Sequence, residues 1–376
     1  MRKSEERRRG HLGLRVSLGL TIVVLLLFGR MSSGHGKARS KHKHSDSEPV
    51  AAQPVPAMAS DARINAAYVF VKGAGILRLQ DGTVSTVLQT QAALRDMQID
   101  GEGALWASLR GTGVVRIVGG QTVTLSQESF AKLAIRSPTD VWTINDSHGN
   151  VVHYDGRRWK TVRTRNSLAG AFDDNRLLDI VTDGRAVWIA GWNGLWRVLG
   201  GRWTRLEPPP AVASNSEADS DGQSASAFPL SLLASKPGLI ACYLAGCFVS
   251  TETDWQRSHW PTDKAHLQSA GAANLAAGTS ADGTTVMVAR LDGSGETSKS
   301  ESLSATGIND IAIDPTGRVW VATGSELVVL DARGRTLQRW KASGASGRAG
   351  EQAGEQAGEI ERVVISGAGP AQLPAQ

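Results

Sequence analysis

The stretch from Asn309 to Asp331, NDIAIDPTGRVWVATGSELVVLD, has the pattern of two short apolar strands around a turn that contains Asp and Gly, followed by a Gly-bounded loop and a third strand. The same order of apolar run, Asp/Gly turn, Trp and Gly occurs upstream in RDMQIDGEGALWASLRGTGVVRI from Arg95 and in LDIVTDGRAVWIAGWNGLWRV from Leu178. The chain is therefore built from an internal repeat.

Two sets of tryptophans give this repeat its period. One set follows the turn, at Trp106, Trp142, Trp188 and Trp320, and the other lies near the end of each repeat, at Trp159, Trp203, Trp255 and Trp340. In the first set the gaps are 36, 46 and 132 residues, the last being three times 44. Two weaker copies, residues 230–250 and 275–293, fill the long gap, and we expect Ile240 and Met287 near their Trp positions. Most of the Trp side chains should pack between repeats.

A repeat of about 44 residues with four short strands has the size of one propeller blade. Horseshoe and helical repeats fit worse, because no segment keeps a 3.6-residue apolar period. The first copy, residues 66–88, lacks its first strand, and residues 359–369 read as a lone first strand. Pairing the two would close the ring and cover both edges. The prediction is an all-β, seven-bladed β-propeller over residues 65–369, with six continuous blades and one shared blade.

Charge is distributed unevenly along the chain. Residues 1–44 contain eleven Lys and Arg against two Glu, whereas the remainder contains thirty Lys and Arg against thirty-four Asp and Glu. The predicted propeller is therefore mildly acidic, which argues against a nucleic-acid-binding groove.

The amino-terminal residues 1–30 have the pattern of an export signal. A basic start precedes Val16 to Gly29, fourteen uncharged and mostly apolar residues. This length fits a signal-peptide core, and if Arg15 snorkels it also fits a short membrane anchor. Both alternatives stay open, and both place the rest of the chain in the periplasm or outside the cell, either released or anchored to the inner membrane.

Residues 31–64 should form a flexible linker, because they lack aromatic side chains and are rich in Ser, Ala, Pro and charge. The linker contains His35, His42 and His44, which fit a solvated basic segment better than a metal site. Two inserts of low apolar content, residues 207–226 and 342–359, should be mobile loops, and residues 370–376 a short tail.

The quoted segments LRDMQIDGEGALWASLRGTGVVRI, LLDIVTDGRAVWIAGWNGLWRV and INDIAIDPTGRVWVATGSELVVL resemble the two-component-regulator propeller repeat family, over roughly residues 66–366. The resemblance implies a periplasmic sensing or protein-binding propeller, and related propellers include lyases. No kinase or receiver segment follows Ser366 here. The resemblance therefore implies a scaffold or sensor module without a kinase region. We expect an envelope protein as its partner and no cofactor.

The third position of each first strand suggests a binding site. In six blades it holds Asp96, Lys132, Asp179, Ser231, Asp310 and Arg362. First strands lie nearest the axis of a propeller, so these side chains should ring one mouth of the central channel. They could meet a polar ligand or a partner's charged loop, or they could pair with one another between blades. We take Asp96, Asp179 and Asp310 as candidate binding residues.

The loops after the Trp strands supply the other candidate binding residues, Arg110, Trp192, Asn193 and Tyr243, together with His148. We expect all of these loops on one face of the propeller. Trp192 and Tyr243, if exposed there, would suit protein recognition better than small-molecule chemistry.

An enzymatic alternative centres on NDSHGNVVHYDG, residues 145–156. In the propeller lyases a His acts as base, so His148 and His153 are weak catalytic candidates, with Asp146 and Asp155 nearby. The same residues also fit an ordinary hairpin turn, in which Gly149 or Asn150 takes a positive φ.

Cys242 and Cys247 flank YLAG, which fits a hairpin tip between two strands. Opposed positions on antiparallel strands come close enough for a disulfide, and an exported protein meets an oxidising compartment. We expect a structural disulfide here, with two buried thiols as the alternative.

Overall fold

The computed structural model describes residues 66–80, 83–145, 147–164, 176–213, 229–234, 238–250, 254–261, 265–270, 275–291, 297–303, 307–341 and 359–366. The predicted export signal, the linker, most of both inserts and the tail lie outside these residues. Within them no helix is long and apolar enough to cross a membrane.

The described residues form seven four-stranded antiparallel sheets. Blade 1 contains β1 (Ala67–Val71), β2 (Gly75–Gln80) and β3 (Thr83–Leu88). Blade 2 contains β4 (Leu94–Ile99), β5 (Leu105–Leu109), β6 (Gly113–Val118) and β7 (Gln121–Ser126). Blade 3 contains β8 (Phe130–Ser137), β9 (Asp140–Asn145), β10 (Asn150–Tyr154) and β11 (Trp159–Thr164). Blades 4 and 5 use β12 (Leu177–Thr182), β13 (Val187–Gly191), β14 (Gly194–Leu199), β15 (Arg202–Leu206); and β16 (Ser231–Ala234), β17 (Leu239–Tyr243), β18 (Gly246–Ser250), β19 (Trp255–Arg257).

Blade 6 uses β20 (Ala265–Ala270), β21 (Leu275–Ser280), β22 (Val286–Arg290) and β23 (Ser298–Lys299), and blade 7 uses β24 (Ile308–Ile313), β25 (Val319–Thr323), β26 (Glu326–Leu330) and β27 (Thr336–Lys341). The last strand, β28 (Ile360–Ile365), pairs with β1 and supplies the first strand of blade 1. The predicted seven blades and the closure by the two ends of the chain are therefore present.

The seven sheets form a closed ring. The innermost strands β28, β4, β8, β12, β16, β20 and β24 each lie against the next, and β24 returns to β28. One buried apolar cluster fills each of the seven interfaces between neighbouring blades in the described residues. The apolar area is thus buried between sheets, as expected for a propeller. Trp106, Trp142 and Trp188 are buried in these interfaces, in agreement with the prediction.

The Asp of the repeat holds the turn between the first and second strands. In blade 2, Asp100 accepts hydrogen bonds from the backbone N–H groups of Glu102 and Ala104 through Oδ1. Its Oδ2 accepts from Trp106 Nε1 at 2.9 Å and from Arg116. The repeated order of Asp, Gly and Trp along the chain therefore has a physical cause. In this blade a single carboxylate accepts hydrogen bonds from the turn backbone, the indole and the guanidinium.

The same arrangement recurs in two further blades. Trp320 Nε1 donates to Asp314 at 3.1 Å, and Trp188 Nε1 donates to Asp183 at 3.3 Å. These contacts lie at the end of the blade opposite to the turns between the second and third strands, since β-strands alternate in direction.

Blade 6 corrects one prediction. Ile240 does occupy the second strand of blade 5, as expected, but Met287 lies in β22, the third strand of blade 6. The Asp-Gly turn at residues 281–285 joins the second and third strands here, whereas in blades 2, 4 and 7 such a turn joins the first and second. The second strand of this blade contains no Trp, so the sequence did not determine which residues form that strand.

The described start of the first insert is packed against the propeller. Residues 210–213 form a short helix, α1 (Pro210–Ala213), in which Val212 is fully buried. Val212 joins the apolar cluster between blades 4 and 5. The rest of this insert and residues 342–358 lie outside the described part of the chain.

Candidate functional site

One end of the propeller carries the turns between the second and third strands, and we call it the turn face. The innermost strands begin at this end. In three blades the turn bonds to the start of the next blade's innermost strand: His148 O accepts from Leu177 N, Gly283 O from Ile308 N, and Gly324 O from Ile360 N. Arg110, His148, Trp192 and Asn193 all lie in such turns, and Tyr243 ends the strand before one.

A ring of charged side chains lies just inside the turn face. Each of Asp96, Lys132, Asp179, Asp310 and Arg362 follows a bulge near the start of an innermost strand. A bulge re-aims the residue beside it. The three Asp side chains each accept a backbone N–H from the next blade, at 2.8 Å from Leu133, 2.9 Å from Leu232 and 2.9 Å from Val363.

Arg362 links two of these carboxylates across blade boundaries. Its NH2 lies 3.0 Å from Asp96 Oδ1, and its Nε lies 3.4 Å from Asp310 Oδ2. The sequence left open whether these charged side chains pair with one another between blades, and Arg362, Asp96 and Asp310 do so. A ligand-binding role for the ring stays a prediction.

Burial governs the electrostatics of the ring. It raises the pKa of the Asp179 carboxyl, against the opposing field of Lys132, and it raises the pKa of the Asp310 carboxyl, against that of Arg362. The nearby Asp310 carboxylate in turn raises the pKa of Arg362. The basic side chains therefore balance most but not all of the ring's carboxylates, since three Asp face one Arg and one Lys.

Three large apolar side chains are exposed together on the turn face of blades 4 and 5. Trp192 is 41% exposed, Leu230 is 49% exposed and Leu244 is 68% exposed. Trp192 and Leu244 lie in the turns of the two blades, and Leu230 immediately precedes β16. We call these three residues the apolar patch. In three other blades the turn lies beside the start of the next blade's innermost strand, so we expect the turn that carries Trp192 to lie near the start of blade 5, where Leu230 is.

Two arginines brace the turns that carry the patch. Arg205 NH2 donates to Asn193 O at 2.6 Å, and Arg257 NH2 donates to Ala245 O at 3.4 Å. Both side chains are exposed. We call Arg205 and Arg257 the basic pair.

A glycine lies against each of these arginines. A Cβ at Gly194 would lie 3.4 Å from Arg205 Nε, and one at Gly246 would lie 3.6 Å from Arg257 Nε. Both glycines also have positive φ, 120° and 137°. The sequence carried a signal for this motif that was missed, because in both blades an Arg follows the Gly by eleven positions.

Tyr243 corrects the prediction of an exposed aromatic side chain. It is 4% exposed and packs edge-on against Phe248, with ring centroids 5.9 Å apart, in the cluster between blades 4 and 5. Burial raises the pKa of its phenol. Alternation along β17 turns Tyr243 toward blade 4, so the exposed apolar residue of this turn is the next one, Leu244.

Cys242 and Cys247 face each other across β17 and β18 and form a disulfide in the structure. Their Cα atoms are 4.0 Å apart. Cys247 is buried, and the bridge closes the hairpin whose tip presents Leu244. The bond therefore fixes the base of the turn that carries the most exposed residue of the apolar patch.

The two histidines lie at opposite ends of β10. His148, with a φ of 55°, lies in the turn before the strand, where its Nδ1 is 3.0 Å from Leu177 O. His153 Nε2 is 2.9 Å from Asp140 Oδ1, and its ring stacks on Trp142 at 4.5 Å. The structure does not bring the two side chains together. Asp146 lies outside the described residues.

The described residues hold no group of three His, Cys, Asp or Glu side chains that could bind a metal ion. Asp155, another residue named with the histidines, pairs with Lys160 at 2.6 Å, and that hydrogen bond lowers the pKa of its carboxyl. Its contacts are those of a turn.

Comparisons with known proteins agree on no single family. No family model matches the chain, and no curated protein matches it. Among solved structures, it is similar to YCF48 from Cyanidioschyzon merolae, at 16% identity and a TM-score of 0.47, over 67% of this chain and 86% of that one. It is also similar to a streptogramin B lyase, at 11% identity and a TM-score of 0.48, over 70% and 91%.

A third similar structure is the extracellular domain of a protein described as a hybrid two-component system from B. thetaiotaomicron. The identity is 13% and the TM-score 0.46, over 73% of this chain and 38% of that one. The blade count and the closure of the ring rest on the strand pairing of this chain and not on these similarities.

Proposed function

We propose that this protein is an exported β-propeller that acts as a protein-binding scaffold or sensor module in the cell envelope, and that it binds its partner through the turn face of blades 4 and 5. The observation that carries the proposal is the apolar patch. Trp192, Leu230 and Leu244 expose large apolar surfaces on the same face of two neighbouring blades, whereas single exposed apolar residues are ordinary.

The residue types of the apolar patch and the support of its turns favour protein recognition. Tryptophan is enriched among the residues that dominate the energy of protein interfaces. The turns beneath Trp192 and Leu244 are held by the basic pair and by the Cys242–Cys247 disulfide. A braced surface loses little conformational entropy on binding, which favours affinity.

Export and membrane attachment remain part of the proposal. The basic and apolar pattern of residues 1–30 supports them, and so does a disulfide, which persists in oxidising compartments. Fractionation of cells, with the mass of the mature chain measured, separates a cleaved signal from a retained anchor. A full-length chain recovered from the cytosol would contradict export.

The resemblance to the two-component-regulator propeller repeat family supports a sensing role, with an envelope protein as the partner. The enzymatic alternative, a lyase or hydrolase site near His148, has less support. The imidazole of His148 is tied to Leu177 O, and that of His153 to Asp140. We expect His148→Ala to leave partner binding unchanged.

Cross-linking of the full-length protein in its own membranes, followed by affinity capture and mass spectrometry, tests the proposal. We expect one reproducible envelope protein, captured about tenfold less by Trp192→Ser and by Leu244→Ser. Leu199→Ser is the matched control, because Leu199 is 48% exposed but lies at the turn between the third and fourth strands, on the other end of the blade. Equal loss with the control variant, or no loss with either patch variant, would contradict the proposal.

A further inference from the structure

We infer that the turn face of blades 4 and 5 recognises an acidic peptide segment in which large apolar side chains alternate with carboxylates. This inference rests on the proposed protein-binding function and names the chemistry of the partner. Its starting point is the position of the basic pair at the base of the two turns that expose Trp192 and Leu244.

The geometry leaves the two guanidinium groups available. Arg205 and Arg257 each use NH2 for one carbonyl of their own turn. An arginine has five N–H donors in a fixed fork. In the described part of the chain neither guanidinium faces a carboxylate in an ion pair. Remaining donors on each arginine can therefore take a partner's carboxylate beside an apolar side chain.

Basic side chains outnumber acidic ones among the described residues at this part of the turn face. Among the described residues of blades 4 and 5, Arg176, Arg205 and Arg257 lie at this end, and Glu207 is the exposed acidic residue there. Asp179 is turned inward to Leu232 N. The chain after residue 44 as a whole, with these residues included, has thirty-four acidic residues against thirty Lys and Arg. The two guanidinium groups of the basic pair therefore favour a partner that carries carboxylates.

The apolar patch and the basic pair are coupled by construction. Gly194 and Gly246 lie against the guanidinium groups, since a Cβ at either position would be in van der Waals contact with Nε of its arginine, at 3.4 Å and 3.6 Å. Each bracing contact therefore fixes a positive charge beside an exposed apolar residue, once in each of two neighbouring blades. A partner that places one apolar residue near Trp192 and another near Leu244 would bring its flanking carboxylates to Arg205 and Arg257.

Selection of a displayed library of random 12-residue peptides on the immobilised full-length protein tests the inference. We expect the selected peptides to be enriched in Asp and Glu next to Leu, Phe or Trp. Their affinity should fall about tenfold with Arg205→Gln or Arg257→Gln, and it should fall as salt is raised. Arg202→Gln is the matched control, since Arg202 is also exposed but begins β15 at the opposite end of the blade.

The outcomes separate the two proposals. Peptides that depend on Trp192 and Leu244 but are neutral or basic, or that ignore both arginine variants, would overturn the inference and leave the protein-binding function standing. If no selected peptide depends on Trp192 or Leu244, both fall. Because Arg→Gln could loosen a turn, Arg205→Lys and Arg257→Lys provide a second test: they keep the charge, and we expect them to retain more binding than the Gln variants at equal thermal stability.

Discussion

At the scale of single residues, a buried aspartate holds the turn between the first and second strands of blades 2 and 7. The Asp100 side chain is fully buried, and Arg116, 10% exposed, lies 2.9 Å from it. We expect Asp100→Ala to reduce the free energy of unfolding by about 3–5 kcal/mol, because it leaves a buried guanidinium with only the exposed Glu102 carboxylate and the Trp106 indole without an acceptor. Urea unfolding followed by tryptophan fluorescence measures this.

Asp331→Ala is the matched control for that variant. Asp331 also accepts two backbone N–H groups of a turn and pairs with an arginine, but that partner, Arg335, is 72% exposed. An exposed pair of this kind contributes about 1 kcal/mol or less. If the two alanine variants lost equal stability, burial would not be the reason for the repeat's Asp.

At the scale of elements, the hairpin of β17 and β18 connects stability to the proposed surface. Cys242 and Cys247 are already opposed in the strand register, and four residues lie between them. Closing so short a loop stabilises by about 2 kcal/mol in the chain-entropy model. We expect a variant with both residues changed to Ser to lose about this much and to keep its circular dichroism spectrum.

The reduced wild-type protein controls for the substitution itself. Dithiothreitol should lower the unfolding free energy of the wild type by the same amount and leave the double Ser variant unchanged. A larger loss, or a loss of β structure in the variant, would show that blade 5 needs the bond in order to fold.

The elements also show how far sequence reasoning reached. Blades 2, 4 and 7 were predictable because the Asp of the first turn bonds to the Trp of the second strand, which keeps both residue types in the repeat. Blade 6 has no Trp in its second strand, so apolar alternation alone could not fix its register, and Met287 was assigned to the wrong strand. The sequence also did not show that β17 ends at Tyr243, and it therefore did not show that Tyr243 points into the interface and Leu244 into solvent.

The candidate site was less predictable than the fold. The charged ring followed from position in the repeat, and so did the shared face of the turns. The apolar patch did not, because nothing in the sequence distinguishes Leu230 and Leu244 from buried leucines until the positions of blades 4 and 5 are known. The bracing arginines come from the outer strands, so their contacts with the turns depend on cross-strand register.

At the scale of the whole molecule, the two ends of the chain hold the ring closed. β28 pairs with β1, and Ala66 and Ser366 exchange hydrogen bonds, with Ser366 N 2.9 Å from Ala66 O and Ser366 Oγ 2.7 Å from Ala66 N. Within β28, Ile360, Val363 and Ile365 are at most 4% exposed. The strand also carries Arg362, the bridge between two carboxylates of the axial ring.

Deletion of the chain from residue 359 onward should therefore open the ring. Removing three buried aliphatic side chains alone costs about 5 kcal/mol or more, and it also leaves Asp96 and Asp310 without their guanidinium. We expect a lower and broader thermal transition, and self-association through the uncovered edge of β1. Deletion from residue 367 onward keeps β28 and should melt like the wild type.

Addition of a synthetic peptide of residues 359–369 to the shorter protein distinguishes lost closure from general damage. The peptide should raise the melting temperature in a concentration-dependent way, because it can only bind as the missing first strand of blade 1. A peptide of the same composition in scrambled order should not. If the protein lacking β28 kept full thermal stability, pairing of the two ends would not be what closes the propeller.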